Sequence, residues 1–490
     1  MDKETLSNYG WIVVLVLVLA VMLALATPFG SFIAGAIKST TAGLFSVNQA
    51  ALGSAGIDVN DMVFENCNHL ETEIRNATDT YTGDTCCKAC GAVLQAGQTV
   101  RAKVPEGGKY TAADGTVYNP GDEMPETATN GDKYEYGDYI YTYRPSCRGW
   151  EVRVNDKSKT EYGAILESIN GISVTNMDYT FQDCQSLVIA PAIPNGVTSM
   201  IRTFASCSKL TTAPAIPSHV TDMSSAFIKC ISLITPPDMS RASSVTDMSG
   251  VFQDCKSLAT APIIPNGVTD MTNAFKNCTS LKVAPAIPST VTNMSYTFQG
   301  CKSLTTAPDL SKCVQLTGLT YTFNNCTSLV IAPAIPSTIA HMTGTFQDCT
   351  SLTTAPVLPD GLITMNSVFK NCSSLKTYAG STDADGDFSG YVIPETVTNM
   401  FSTFYSCWPL QKAPIIPHSV TDMSYTFYST CIGDLVTINA NPTSYDKCFW
   451  NTWQPIVLTT TDGACTVLSE IAATGNSGKV TVFTGEPETT

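Results

Sequence analysis

"VTNMSYTFQGCKSLTTAPDLS", Val291–Ser311, decides how this chain is read, because near-copies surround it with a methionine, a phenylalanine and a cysteine at the same offsets. Aligned on the phenylalanine, eleven units fall at Phe181, Phe204, Phe227, Phe252, Phe275, Phe298, Phe323, Phe346, Phe369, Phe404 and Phe427. Most are 23 residues apart; two intervals are 25 residues and one is 35. A fixed period of this size is the signature of a solenoid, in which each unit buries its apolar face on the next and none folds alone.

The logic of one unit is visible in "VTNMDYTFQDCQSLVIAPAIPNG", Val174–Gly196. Val174, Met177, Phe181, Cys184 and Leu187 recur every three or four residues, the stripe that a helical turn or short helix presents. Thr175 stands where an N-cap would. The second half changes period: β-type residues lead into Pro191 and Pro194, which give no N–H to a ladder and hold the chain extended. The expectation is a helical turn, an extended arm and a tight return at Asn195-Gly196. Stacking then sets like on like, with Phe181, Phe204 and Phe298 in one core column and Cys184, Cys207 and Cys301 in another. Rungs about 4.8 Å apart permit a disulfide by Cα distance, but parallel side-chain directions oppose it. Buried free thiols acting as small apolar pegs are the preferred reading, over a disulfide zipper or a metal ladder.

The order Phe-x-x-Cys-x-x-Leu, then Ile-Pro, then Val-x-x-Met resembles the BspA-type leucine-rich repeat of bacterial surface proteins, over about Val174 to Cys431. The two 25-residue units, with "PPDMSRASSVTDM" and "APDLSKCVQLTGL", resemble related surface repeats of mycoplasmas. The resemblance implies an α/β leucine-rich-repeat solenoid of eleven units that adheres to host or neighbouring-cell molecules without catalysis.

Outward from the repeats, "WIVVLVLVLAVMLALA" (Trp11–Ala26) continues as an uncharged run to Ile37, about the 20 residues that a membrane span needs. It reads as an uncleaved signal anchor; Ala24-Leu25-Ala26 alternatively resembles a signal-peptidase site, and Gly10 before the run a pilin-like leader. Each places the rest outside the cytoplasm. Residues 57–173 alternate Gly, Asp, Asn and Pro turn signals with Tyr- and Val-rich runs such as Tyr139–Tyr143, which predicts a small β-rich domain. Its Cys67, Cys86, Cys87, Cys90 and Cys147 suit disulfides outside the cell; Cys87-Lys88-Ala89-Cys90 as half of a zinc site is the alternative.

The 490 residues carry 42 acidic and 27 basic side chains, a net charge of −15, which opposes nucleic acid as a partner because phosphate binding needs clustered Lys and Arg. Four histidines at unrelated repeat positions and the absence of HExxH, GxSxG or P-loop spacing give no catalytic constellation, and no cofactor is expected. Three departures from monotony are candidate sites. Asp383, Asp385 and Asp387 alternate in the 35-residue interval as hard-cation ligands do, calcium being the candidate ion, although the liganding glutamate of an EF-hand loop is missing. Tyr179, Tyr296, Tyr321 and Tyr425 recur two residues before the phenylalanine, where aromatics stack on glycans or grip a protein. The end segment "CFWNTWQPIVLTTTDGACTVLSE", with Trp450 and Trp453, breaks the repeat and reads as a cap over the last rung.

The expected organisation is a membrane anchor with a continuing helix (1–56), a β-rich domain (57–173), the solenoid (174–431) and a cap with its tail (432–490). The expected function is a membrane-anchored surface adhesin that binds an extracellular protein or glycan. The alternative is a structural subunit of a pilus-like or surface-layer assembly.

Overall fold

The computed structural model describes residues 102–379, 388–461, 463, 465–475 and 479–483, and the backbone of three earlier strands. The Trp11–Ile37 run, Asp383, Asp385, Asp387, Cys67 and Cys90 lie outside the described residues. The chain divides into two compact units, Met1–Val100 and Arg101–Thr490. In the first, β1 (Thr72–Arg75), β2 (Asp84–Cys87) and β3 (Val93–Gln95) form an antiparallel sheet in that order.

The second unit opens with strands whose alternating tyrosines build its first core: β4 (Gly108–Thr111), β5 (Val117–Tyr118), β6 (Lys133–Tyr136), β7 (Tyr139–Arg144) and β8 (Gly149–Val154). Alternation puts Tyr139 and Tyr141 of β7 inward, beside buried Tyr110, Tyr134 and Trp150. With β9 (Ser168–Ile169) and β10 (Ile172–Asn176), the sheet runs β5-β4-β6-β7-β8-β10-β9. The β8 to β10 pairing is parallel, with Val174 opposite Trp150, and the Tyr162 ring lies 5.1 Å from that of Phe181. The repeats therefore begin as the continuation of a sheet.

From there the phenylalanine rings stack in parallel from rung to rung, 5.2 Å between centroids for Phe181 and Phe204 and 5.9 Å for Phe346 and Phe369. Val174, Met177, Phe181, Cys184 and Leu187 and their counterparts at Phe204 and Phe298 are fully buried. A second face is closed by single parallel bridges such as Ile189 to Thr212 and Thr212 to Thr235. These lengthen to two-residue strands at β11 (Thr354–Ala355) and β12 (Thr377–Tyr378), the latter inside the 35-residue interval. The prolines end in the expected return, where Val197 N–H donates to Pro194 C=O at 3.2 Å. The 25-residue units spend their two extra residues on a turn in which Asp238 or Asp309 accepts the N–H of the serine two residues on.

Two expectations need correction. The Met-to-Cys segment is a ribbon of consecutive turns, not a helix, and Thr175 is no N-cap: its carbonyl accepts the Thr198 N–H of the next rung. The cause is a left-handed residue on either side of each phenylalanine, Tyr179 (φ 59°) and Asp183 (φ 64°) in the first unit. Such residues cannot propagate a right-handed helix. They free alternate amides to point at the neighbour, so Met177, Tyr179, Phe181 and Asp183 donate to Ser199, Ile201, Thr203 and Ala205. The α/β class gives way to a turn-and-strand solenoid in which, among the described residues, the α-helix is α1 (Leu468–Ala473).

The second correction concerns the C-terminal end. The end segment does lie over the rung of Phe427, but it continues the repeat rather than breaking it, and Trp450 and Trp453 are 43% and 57% exposed. Phe449 stacks 5.5 Å from Phe427, extending the ring column by one more rung. Parallel strands β13 (Asp434–Thr437), β14 (Ile456–Thr459) and β15 (Val480–Val482) form a sheet at this end, with buried Leu468 and Ile471 of α1 beside it.

Truncating Phe298 to alanine should cost about 3–5 kcal/mol, as buried aromatic deletions do, and the damage should stay local because each rung contacts chiefly its neighbours. Hydrogen exchange should rise around Phe275, Phe298 and Phe323 while the rungs of Phe181 and Phe427 keep their protection; uniform loss would contradict a one-dimensional array.

Candidate functional site: the aromatic face of the turn ribbon

Each turn ribbon sends two columns of side chains outward, two residues before and one residue after the phenylalanine. The first column sits at the left-handed position. Glycine occupies it at Gly250 and Gly344, and Ser, Asn, Tyr, Arg or Lys elsewhere. Side chains in this column lean over the following rung: a Cβ built on Gly344 would collide with the Tyr321 ring, and one on Gly250 would meet Ser225 Oγ. Glycine at 344 thus makes room for the tyrosine below it.

That lean joins two of the four sequence-predicted tyrosines. Tyr296 and Tyr321 stack with centroids 5.3 Å apart and planes 10° apart. Lys276 Nζ sits 5.4 Å from the Tyr296 centroid, an arrangement that favours a cation on the ring face. Tyr179 stands at the first rung, 43% exposed, with the Arg153 guanidinium 5.8 Å from its ring. Tyr425 stands near the other end, edge-on to Phe401 at 5.8 Å, with Lys447 Nζ 5.7 Å from its centroid. The four are one column but three separate places.

A second aromatic group was not anticipated from sequence. Tyr405 and Tyr428, one residue after their phenylalanines, stack at 4.6 Å and 1°; Tyr425 lies 5.8 Å from Tyr428, and Lys370 Nζ 5.0 Å from Tyr405. Trp408 and Trp453 approach to 5.4 Å. The signal was present, since earlier units carry Gln182, Gln253, Gln299 and Gln347 where these tyrosines stand.

The residue two after the phenylalanine is also left-handed, at Asp254, Asn277, Asp348 and Asn371 among others, which accounts for the Asp, Asn and Gly found there. Neighbours in this column are linked by Asn277 Nδ2–H to Asp254 Oδ1 (2.8 Å) and Asn371 Nδ2–H to Asp348 Oδ1 (2.7 Å). Among the described residues no group of three or more His, Cys, Asp or Glu is placed to hold a metal.

The column cysteines are free thiols, and those from Cys207 to Cys407 each donate to the phenylalanine carbonyl of the preceding rung: Cys207 Sγ to Phe181 O at 3.1 Å, Cys301 to Phe275 O at 3.1 Å. Cys184, at the start of the column, instead meets the Tyr162 hydroxyl at 3.4 Å. Burial raises these thiols above their ordinary range, Cys301 and Cys407 among them, and lifts Cys448 to about 12. In the rung of Phe427 the core place passes to Thr430, whose hydroxyl donates to Phe427 O at 2.8 Å, and Cys431 moves outward by one. Cavities on the opposite, proline-bearing side are open and apolar, one of about 460 Å³ lined by Ile331, Pro333, Thr354, Pro356, Val357 and Pro359.

The BspA type leucine rich repeat region, six copies, matches residues 174–305 and 248–376. No curated protein matches the sequence. Among solved structures, a leucine-rich repeat protein from Bacteroides ovatus is 16% identical, with 71% of this chain and 99% of that one covered and a TM-score of 0.44. The T. pallidum leucine rich repeat protein is 22% identical, covering 44% and 88%, with a TM-score of 0.31. The pneumococcal vaccine antigen PcpA is 13% identical, covering 73% and 100%, with a TM-score of 0.38.

The thiol column makes stability depend on pH. A folded thiol whose affinity for its proton is raised keeps that proton when the unfolded chain, with thiols near about 8.5, has lost it. The stabilisation is complete below that value and declines as pH rises through it. The urea midpoint should fall between pH 8 and pH 9.5, less steeply in Cys301→Ala than in the parent, and iodoacetamide should leave the core thiols unmodified in the native protein at pH 8.

Proposed function

The repeats of this chain are BspA-type leucine-rich repeats, and from that premise we propose that the protein is a cell-surface binding protein, an adhesin, whose eleven-unit solenoid displays ligand-contacting side chains on its turn ribbon. The observation that carries this reading is the stacked Tyr296–Tyr321 pair. Two large rings stand half-buried on the outer side of a core that does not need them, held face to face by Gly344 above and Lys276 below. Tyrosine supplies broad amphipathic contact at little entropic cost, which is why it anchors interfaces. The ligand is an extracellular protein or glycan, and catalysis is no part of the reading.

The hydrophobic run from Trp11 to Ile37 anchors the chain in the cytoplasmic membrane and leaves the repeats outside. Among the described residues no helix is long and apolar enough to cross a membrane, and the run itself lies outside them. Protease added to intact cells should remove the repeats while cytoplasmic controls survive; protection of both would refute the topology.

Tyr296→Ala and Tyr321→Ala should each lower stability by less than about 1 kcal/mol, as changes on an outer face do. Each should also weaken binding of the purified chain to immobilised extracellular-matrix proteins or glycans at least about tenfold. Variants that unfold would show that the pair is structural; variants that bind every probe as the parent does would place the ligand elsewhere.

A further inference from the structure

We propose that the last rungs carry a second site, one that takes an acidic oligosaccharide through an aromatic platform guarded by lysines. Three of the chain's five tryptophans, Trp408, Trp450 and Trp453, fall in these rungs and are 41%, 43% and 57% exposed. Leaving so much aromatic surface in water forfeits burial that a structural residue would take. Around them Tyr405 and Tyr428 stack, Tyr425 leans on Tyr428, and Trp408 meets Trp453.

Charge selects the occupant. The chain as a whole is at −15, yet the cations here sit on the rings: Lys370 over Tyr405, Lys447 over Tyr425, and Lys479 Nζ donating to Trp453 O at 3.3 Å. Among the described residues none of these three lysines has a carboxylate within ion-pair distance, since the pairs formed involve Arg144, Arg153, Lys159 and His418. Asp446 precedes Lys447, and Glu470 is taken by the Tyr445 hydroxyl at 2.5 Å. Ring faces for the C–H face of a pyranose and ammonium groups without a carboxylate partner together describe a uronic-acid-bearing saccharide. An aliphatic peptide anchor would need an apolar pocket, and the two apolar cavities found among the described residues, at Pro333, Pro356 and Pro359 and at Pro262, Pro285 and Pro288, lie on the proline side. Nucleic acid shares the ring-and-anion chemistry, so a single-stranded oligonucleotide that binds as tightly as the acidic saccharides would count against a saccharide site.

This proposal rests on the solenoid being a binding scaffold, but not on the Tyr296–Tyr321 pair. Its test is the tryptophan fluorescence of the full chain titrated with oligosaccharides of hyaluronan, alginate and polygalacturonate, with dextran oligosaccharides of the same length as the uncharged control. At least one acidic series should shift the emission, bind more weakly as salt rises from about 50 to about 200 mM, and lose about tenfold or more in affinity in Lys370→Gln, Lys447→Gln and Trp453→Ala. Melting temperatures should be unchanged and Tyr296→Ala should bind like the parent. Failure of all three acidic series, an equal response to dextran, or concentration-dependent dimerisation that Trp453→Ala abolishes would each overturn it. Loss of binding in Tyr296→Ala alone would overturn the second site while sparing the first.

Discussion

Everything in this solenoid depends on a backbone amide that donates to the next rung instead of to its own turn. A right-handed helix would satisfy Met177, Tyr179, Phe181 and Asp183 internally and leave nothing to bind the neighbour. The left-handed residues at 179 and 183 turn alternate amides outward along the axis. Once rungs are joined in this way, each residue type must tolerate its own copy one rung above. Phenylalanine does so by parallel stacking, cysteine by donating its thiol to the carbonyl below, and threonine by a hydroxyl such as that of Thr297, 2.8 Å from both Met271 O and Met294 O. The monotony of the sequence is the chemical form of that requirement.

What was legible follows from the same constraint. Core columns announce themselves because a stacked position admits few substitutes, so Val, Met, Phe, Cys and Leu could be read directly from "VTNMSYTFQGCKSL" and its copies. The helix was misread because spacings of three and four serve a turn ribbon as well as a helix; the telling signal was the Asp, Asn, Ser and Gly content of the left-handed positions. The rung of Phe449 was hidden because Tyr445 replaces its methionine and Thr452 its cysteine, leaving the phenylalanine as the surviving landmark. Of the candidate site, the tyrosine column was readable as a column. Which of its members touch was not, because that depends on Gly344 admitting Tyr321.

Recognition of the proposed kind would come from exceptions. A repeated side chain presents the same chemistry all along the axis, whereas a pair such as Tyr296 and Tyr321, or the tyrosines and tryptophans near the last rung, sets one rung apart from its neighbours. The rigid ladder fixes that rung with little loop entropy to be lost on binding. The glutamines of other units show that the fold asks for no aromatic at the places where Tyr405 and Tyr428 stand.

The parallel pairing of β10 with β8 gives the array a seed. A stacked polymer is slow to start and quick to extend, because the first layer has no surface to condense on. Here the sheet ending at β8 already exposes an edge with Trp150 and Tyr162 beside it, so the layer of Phe181 arrives on a finished template. The seed lies before the repeats in sequence, so it is complete while later units are still leaving the ribosome. Growth is thereby one-directional, each new layer adding to the last, and deletion or duplication of whole interior layers leaves both the initiator and the terminator intact. Array length becomes a quantity that can drift without asking the protein to learn a new fold.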